Sequence, residues 1–117
     1  MLWKVKKSCV SGSLRIPPSK SHTIRALLIA SIAQGESIIY NALLQGDGKS
    51  ALEAAKGLGV KYTLHNGTIH VKGIGSDFSN GINEINVGNS GTSARLFTSV
   101  AALGSKPRIF DGDSSLR

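Results

Sequence analysis

Two basic side chains, Lys20 and Arg25, lie where the sequence predicts that a helix begins. Pro17-Pro18 ends the segment before them, because each proline fixes φ and lacks an N–H donor, and Ser19 is a good N-cap. A helix start carries free N–H groups and the positive end of the helix dipole. Cations there are therefore unfavourable unless they and the free N–H groups bind the same anion. The pattern predicts a phosphate or carboxylate site. It would be made by Ser19, Lys20, Ser21 and Arg25, and the alternative is a capped helix with two solvated bases.

A second run of residues, Gly88-Asn89-Ser90-Gly91-Thr92-Ser93-Ala94-Arg95, has the same organisation. A glycine turn leads into an expected helix, small polar residues stand at the cap, and an arginine follows one turn later. Gly91 would let a ligand approach the backbone closely. On its own the run is more typical of an ordinary glycine turn with a Ser or Thr cap. Two such helix starts in one short chain favour an anion site.

The run Gly46-Asp47-Gly48-Lys49-Ser50 ends like a nucleotide-binding P-loop. The first glycine of that motif should stand at position 43, which is Leu43, and Asp47 places an acid where phosphates would lie. A P-loop nucleotide binder is therefore only a remote alternative, and it predicts ATP binding that is lost in Lys49→Ala.

Metal chemistry and paired acid–base catalysis find no support in the sequence. The histidines at 22, 65 and 70 have no cysteine or carboxylate partner at the spacing of metal ligands, so no metal is expected. No carboxylate lies near Lys20 in the sequence or in either anion-suited run, so no complete catalytic set is predicted.

Composition limits the class of protein further. The chain has 117 residues, of which 40% are apolar, enough for one domain with a core. Its net charge is +7, and residues 1–25 hold six bases and no acid. This charge leaves a basic nucleic-acid-binding module as an alternative, although the few aromatic residues do not interleave with the bases. Cys9 is expected to be a half-buried filler, and no transmembrane run or signal peptide is visible, which favours a cytoplasmic protein.

Hydrophobic periodicity and turn residues predict an α/β chain in the order β-α-β-α-β-β, after which β-α-β begins again. Helices are expected at 21–33, 50–58 and 92–103, the first of them apolar on every side and closed by Gly35. Asn66-Gly67 predicts a tight hairpin turn. Strands are expected at 2–7, 14–16, 37–40, 60–64, 68–71, 85–87 and 108–110, with a loop at 73–83.

Three motifs, in this order and spacing, resemble the N-terminal part of the 5-enolpyruvylshikimate-3-phosphate synthases. They are Pro-Pro-Ser-Lys-Ser-x-x-x-Arg-Ala-Leu-Leu from 17, Gly-Asn-Ser-Gly-Thr-x-x-Arg from 88, and Asp-Gly-Asp-x-x-Leu-Arg from 111. The resemblance covers nearly the whole chain and implies the enolpyruvyl transferase fold, with helices packed beneath sheets. It also implies transfer of the enolpyruvyl group of phosphoenolpyruvate to the 5-hydroxyl of shikimate 3-phosphate, in the shikimate pathway of aromatic amino-acid and chorismate biosynthesis.

The resemblance also implies roles for single residues, and it implies no cofactor or metal. Lys20 would contact both substrates and serve in catalysis, while Ser21 and Arg25 would hold shikimate 3-phosphate. The backbone of Gly91 would meet phosphoenolpyruvate, and Asn89 and Thr92 would shape that turn.

Family members are several times longer than this chain and have two domains. Residues 1–16 are therefore expected to be strands that pack with the other domain, and 17–117 a truncated substrate-binding domain. The remaining cations and acid–base groups belong to a missing C-terminal part, so a fragment of this kind is expected to be inactive alone. Its unpaired strand edges invite self-association.

Overall fold

Three helices and five strands, arranged as two small sheets, make up the protein in a computed structural model that describes residues 1–117. In chain order they are α1 (Lys20–Ile32), β1 (Gln34–Ile39), α2 (Asp47–Gly57), β2 (Lys61–His65), β3 (Thr68–Ile74), β4 (Glu84–Asn86), α3 (Gly91–Ala101) and β5 (Ile109–Asp111). None of the helices has both the length and the apolar run that crossing a bilayer requires.

The larger sheet is antiparallel, with β3 between β1 and β2. β2 and β3 form the predicted hairpin, and Asn66 and Gly67 both have the positive φ that a tight turn of this kind requires. β4 and β5 pair in parallel, with α3 as the crossover between them. The predicted α/β class is confirmed. Helices α1 and α2 pack against strands of the larger sheet, and α2 and α3 pack against strands of the smaller one.

Helix α1 begins within one residue of its predicted start, and the Ser19 hydroxyl accepts the N–H of His22 at 3.4 Å as an N-cap. The prediction that Gly35 closes the helix is wrong, because Gln34 and Gly35 already belong to β1. The expected burial on every side is wrong as well, since Ile29 is 64% exposed. Only one face of α1 therefore lies against the core.

Helix α2 begins three residues before the prediction, at Asp47. Gly46 precedes it with φ +51°, a conformation that glycine adopts without steric cost. A Cβ on Gly48 would lie 1.8 Å from the carbonyl oxygen of Leu43, so only hydrogen fits there. The predicted apolar stripe is confirmed. Its buried residues are Ala51, Leu52, Ala55 and Leu58.

One hydrophobic core lies between the helices and both sheets. Its largest fully buried side chains are Phe97, Ile24, Leu27, Leu58, Ile69 and Ile85. Each element contributes a single face to this core, which is the layered arrangement of α/β domains.

Residues 75–83 form a loop tied to the segment before β5, and β3 extends through Ile74 into the stretch predicted as loop. The Arg108 guanidinium donates to the carbonyl oxygens of Phe78, at 2.6 Å, and Ile82. The Ser79 hydroxyl and N–H donate to the Asp77 carboxylate and hold the pKa of Asp77 below its ordinary value. This loop is therefore fixed by side chains instead of by strand pairing.

Residues 1–19 form no strand or helix, so the predicted strands at 2–7 and 14–16 are wrong. A strand needs a neighbour for its N–H and C=O groups, and no strand lies beside this segment. Its apolar side chains are exposed, and Cys9 is exposed instead of half-buried. The radius of gyration is 17.0 Å, against about 13 Å for a compact chain of this length, because the segment extends away.

We expect Gly48→Ala to destabilise the protein by about 2 kcal/mol or more, since the new methyl group would overlap the Leu43 carbonyl. Lys49→Ala, at the exposed neighbouring position, is the control and should be nearly neutral. Urea denaturation measures both, and equal midpoints for the two variants would contradict the close contact.

We expect the chain to self-associate through residues 1–16, because exposed apolar side chains and unpaired backbone favour pairing with another copy. Sedimentation velocity over a range of concentrations measures the association. A Trp3→Ser, Val5→Ser double variant should sediment more slowly, and identical profiles for both proteins would refute this expectation.

Candidate functional site

The starts of α1 and α2 lie side by side. The hydroxyl of Thr23, in the first turn of α1, accepts the N–H of Leu43 at 3.0 Å and so anchors the loop that leads into α2. The Lys20 ammonium pairs with the Asp47 carboxylate, with Nζ and Oδ2 2.7 Å apart. Two contacts of different kinds thus join two helix starts.

The turn that leads into α3 contacts the start of α2. A Cβ on Gly88 would lie 3.1 Å from the Ser50 hydroxyl oxygen, so the backbone passes close to the first turn of α2. Helix α3 also packs against α1 and α2 directly. Each of the two anion-suited runs therefore contacts the first turn of α2.

The third motif, 111–117, lies against that same turn. The N–H of Asp113 donates to the Gly88 carbonyl at 2.9 Å, and the N–H of Val87 donates to the Asp111 carbonyl at 2.9 Å. Arg117 pairs with the Asp111 carboxylate and holds the pKa of Asp111 below its ordinary value. The second and third motif segments are thus hydrogen-bonded to each other, although more than 20 residues separate their starts in the sequence.

No carboxylate lies near Lys20 in the sequence, but the anchored loop places Asp47 in direct contact with its ammonium group. The lysine side chain is 55% exposed and the aspartate side chain 19%. The sequence analysis considered Asp47 only as an acid in a P-loop-like run, and it did not predict the contact with Lys20.

Ser21 and Arg25 are exposed and lie four residues apart on α1, which places them on one face of the helix. No hydrogen bond or ion pair with another side chain engages either of them. Together with Lys20 they present hydroxyl, ammonium and guanidinium donors at the start of one helix, and this set suits an anion with several oxygens.

Gly91 is the first residue of α3, and Ser90 is its N-cap. The Ser90 oxygen accepts the Ser93 N–H at 3.3 Å, and the two buried hydroxyls hydrogen-bond at 2.9 Å. A Cβ on Gly91 would lie 3.1 Å from a guanidinium nitrogen of Arg95, so this arginine folds back over the helix start. Its one-turn spacing from Gly91 was the sequence signal, but no role was assigned to it.

Asn89 and Thr92 are exposed, and their side chains make no hydrogen bond within the protein. No hydrogen bond joins these residues or Gly91 to the cations of α1. Two open hollows of about 430 and 480 Å³ flank the helix starts. Lys20, Ser21 and Arg25 line neither hollow and lie on open surface.

The fold defines a class of protein, an α/β domain, and in this one exposed cations lie at the starts of α1 and α3. The sequence profile described as EPSP synthase (3-phosphoshikimate 1-carboxyvinyltransferase) matches residues 5–117. The chain belongs to the EPSP synthase family.

Individual relatives agree with this assignment. The chain is 46% identical over 117 residues to a 3-phosphoshikimate 1-carboxyvinyltransferase of Acetivibrio thermocellus, covering 100% of this chain and 28% of the relative. It is 39% identical to a protein of the same name from Chlamydia felis, covering 100% of this chain and 26% of the relative. An EPSP synthase structure from Acinetobacter baumannii superimposes with a TM-score of 0.73 at 28% identity, covering 90% of this chain and 24% of that one. The chain thus spans about a quarter of the length of the proteins it matches.

We expect Thr23→Val to destabilise the protein by about 1–3 kcal/mol, because it leaves the N–H of Leu43 without its acceptor. Thr98→Val, on the exposed side of α3, is the matched control and should cost much less. Chemical denaturation measures both, and hydrogen exchange should show faster exchange of the Leu43 amide in Thr23→Val alone. Unchanged protection of that amide would contradict the anchoring role.

Proposed function

We propose that this chain supplies part of the substrate site of a transferase that moves the enolpyruvyl group of phosphoenolpyruvate to the 5-hydroxyl of shikimate 3-phosphate. Phosphate is the second product. Both substrates carry a phosphate and a carboxylate, so their site needs several cations and N–H donors. Membership in the EPSP synthase family supports this assignment, as do the names of the relatives.

The observation that carries the proposal is the grouping of exposed donors at the start of α1. Ser21 and Arg25 have no partner side chain, and Lys20 has one acidic partner that engages a single N–H. A charge-assisted hydrogen bond to a phosphate contributes about 1.5–3 kcal/mol when it is well formed. A ligand that satisfies these donors would also relieve the unfavourable placement of cations at a helix start.

We assign the residues as follows. Lys20 contacts both substrates and is the one candidate for catalysis in this chain, while Ser21 and Arg25 hold shikimate 3-phosphate. At the start of α3, the backbone of Gly91 approaches phosphoenolpyruvate. Asn89 and Thr92, whose side chains are exposed beside it, support that turn.

The two alternative functions are less well supported. Nucleic-acid binding rests on the net charge of +7 alone. A P-loop would need phosphates beside Gly46-Asp47-Gly48, where the Asp47 carboxylate pairs with Lys20 and would repel them. Neither alternative accounts for the match of residues 5–117 to the EPSP synthase profile.

Residues 1–16 have a separate proposed role. Their apolar side chains are exposed along a segment without secondary structure, including those of Leu2, Trp3 and Val5. We assign this segment to packing with another domain of the enzyme, and residues 17–117 to the substrate-binding domain. Association of the enzyme's two domains would bury this apolar surface.

The first test is an NMR titration of the ¹⁵N-labelled chain with shikimate 3-phosphate. Amide shifts should change at 19–25, and Lys20→Ala or Arg25→Ala should weaken binding about tenfold or more, since each removes a charge-assisted hydrogen bond. Lys56→Ala, in the last turn of α2, is the control for general loss of positive charge. Equal affinity in all four proteins would refute the site.

The activity requires a second measurement. Enolpyruvyl transfer needs one proton delivered to the methylene carbon and one removed from the hydroxyl, and each needs a positioned acid or base. The chain supplies only part of these groups, so it is tested inside a longer enzyme. A graft in which it replaces the aligned 28% of the Acetivibrio thermocellus enzyme should release phosphate from the two substrates. The Lys20→Ala graft should be inactive although folded. A folded graft that releases no phosphate would contradict the proposed activity.

A further inference from the structure

The two side chains of the ion pair between Lys20 and Asp47 differ in their exposure to solvent. The side chain of Lys20 is 55% exposed and that of Asp47 is 19% exposed. The carboxylate therefore lies on the protein side, while the ammonium group faces solvent. An ammonium has three N–H donors, and one contact with Asp47 at 2.7 Å leaves two of them for other oxygens.

Asp47 itself is held in place by its backbone. The residue before it, Gly46, has φ +51°, and Gly48 fits tightly against the Leu43 carbonyl. The same loop is bonded to α1 through the N–H of Leu43 and the buried hydroxyl of Thr23. The carboxylate is thus attached to a backbone fixed relative to the very helix turn that carries Lys20.

A purely structural role explains the carboxylate less well. It does not cap α2 by a side-chain hydrogen bond, and its favourable position at the positive end of the α2 dipole does not require a contact with Lys20. The only side-chain partner of Asp47 is Lys20. An acid beside a site for two anionic substrates also repels them, so its presence there calls for a compensating effect on the lysine.

We propose that Asp47 is a positioning residue that holds the ammonium group of Lys20 in the orientation that receives a phosphorylated ligand. A lysine side chain has four flexible bonds, and fixing it before the ligand arrives removes part of the entropic cost of binding. The inference rests on the proposed function for the identity of the ligand. It adds a residue whose favourable effect on ligand binding is exerted through Lys20.

Two opposite effects decide the result of removing the charge at position 47. Asp47→Asn keeps the shape of the side chain and relieves its repulsion of the ligand, which favours binding. It also releases the lysine, which opposes binding. If positioning dominates, shikimate 3-phosphate should bind about fivefold more weakly to Asp47→Asn, whereas Asp47→Glu keeps the charge and should recover part of the affinity.

The test is a double-mutant cycle on the full 117-residue chain, with shikimate 3-phosphate as the probe and NMR titration as the readout. The four proteins are the parent, Lys20→Ala, Asp47→Asn and the double variant. In the Lys20→Ala background there is no lysine left to position and only the repulsion of the ligand remains, so Asp47→Asn should not weaken binding there. A general loss of structure would weaken binding in both backgrounds. Glu36→Gln, on the exposed face of the larger sheet, controls for the change in net charge.

Each outcome has one meaning. A fivefold loss in Asp47→Asn that vanishes in the Lys20→Ala background, with partial recovery in Asp47→Glu, supports the inference. Tighter binding in Asp47→Asn, or an equal loss in both backgrounds, overturns it. Loss of affinity in Lys20→Ala without any effect of Asp47→Asn overturns this inference and leaves the proposed function standing. Parent affinity in Lys20→Ala would instead refute the proposed function. Thermal denaturation shows whether each variant is folded, and Asp47→Ser, which also removes the charge, replaces Asp47→Asn in the cycle if the latter is not.

Discussion

Close packing around α2 is the constraint on which the rest of the structure depends. Most side chains of its inner surface are small, and Ala51, Ala54 and Ala55 are fully buried. A glycine lies near each end of the helix. Gly48 touches the Leu43 carbonyl and Gly57 lies against Ile85, where a larger side chain would not fit. Helix axes approach closely only where side chains are small. The position of α2 then fixes both the loop before it and the turn into α3.

The electrostatics of the site follow from that packing. Only α2 has an acid in its first turn, whereas α1 and α3 have none. Because the start of α2 lies beside that of α1, its Asp47 partly balances Lys20, while Arg25 is left without a protein partner. Arg95 lies over the start of α3 and adds a further charge of the same sign. Arg25 and Arg95 thus carry positive charges that no carboxylate of the protein pairs with.

The sequence correctly predicted features that depend on adjacent residues, such as caps and turns. It did not predict features that depend on contacts with residues far away in the chain. Ser19 and the turn at Asn66-Gly67 were predictable, because caps and tight turns depend on a few adjacent dihedral angles. The start of α2 was predicted three residues too late because Gly46-Asp47-Gly48 is typical of a turn. In the structure Gly48 packs against the carbonyl of Leu43 and is part of the helix. The ion pair of the site was missed for the same reason, since a loop anchored elsewhere creates it. Residues 2–7 alternate like a strand, but a strand forms only beside a partner.

The strand order of the larger sheet has a consequence for how the protein folds. β2 and β3 are joined by a two-residue turn, so their hairpin can form in about 1–10 μs. β1 pairs with β3 across the whole of α2, and closing such a loop costs entropy before any new contact compensates for it. We therefore expect β1 to join the sheet after the hairpin and α2 have docked. The segment after β1 is also bonded to the hairpin turn, through the N–H of Ala42 and the carbonyl oxygen of Gly67, 2.9 Å apart. We therefore expect the neighbouring bond from Leu43 to Thr23, and with it the contact between Lys20 and Asp47, to form after the hairpin.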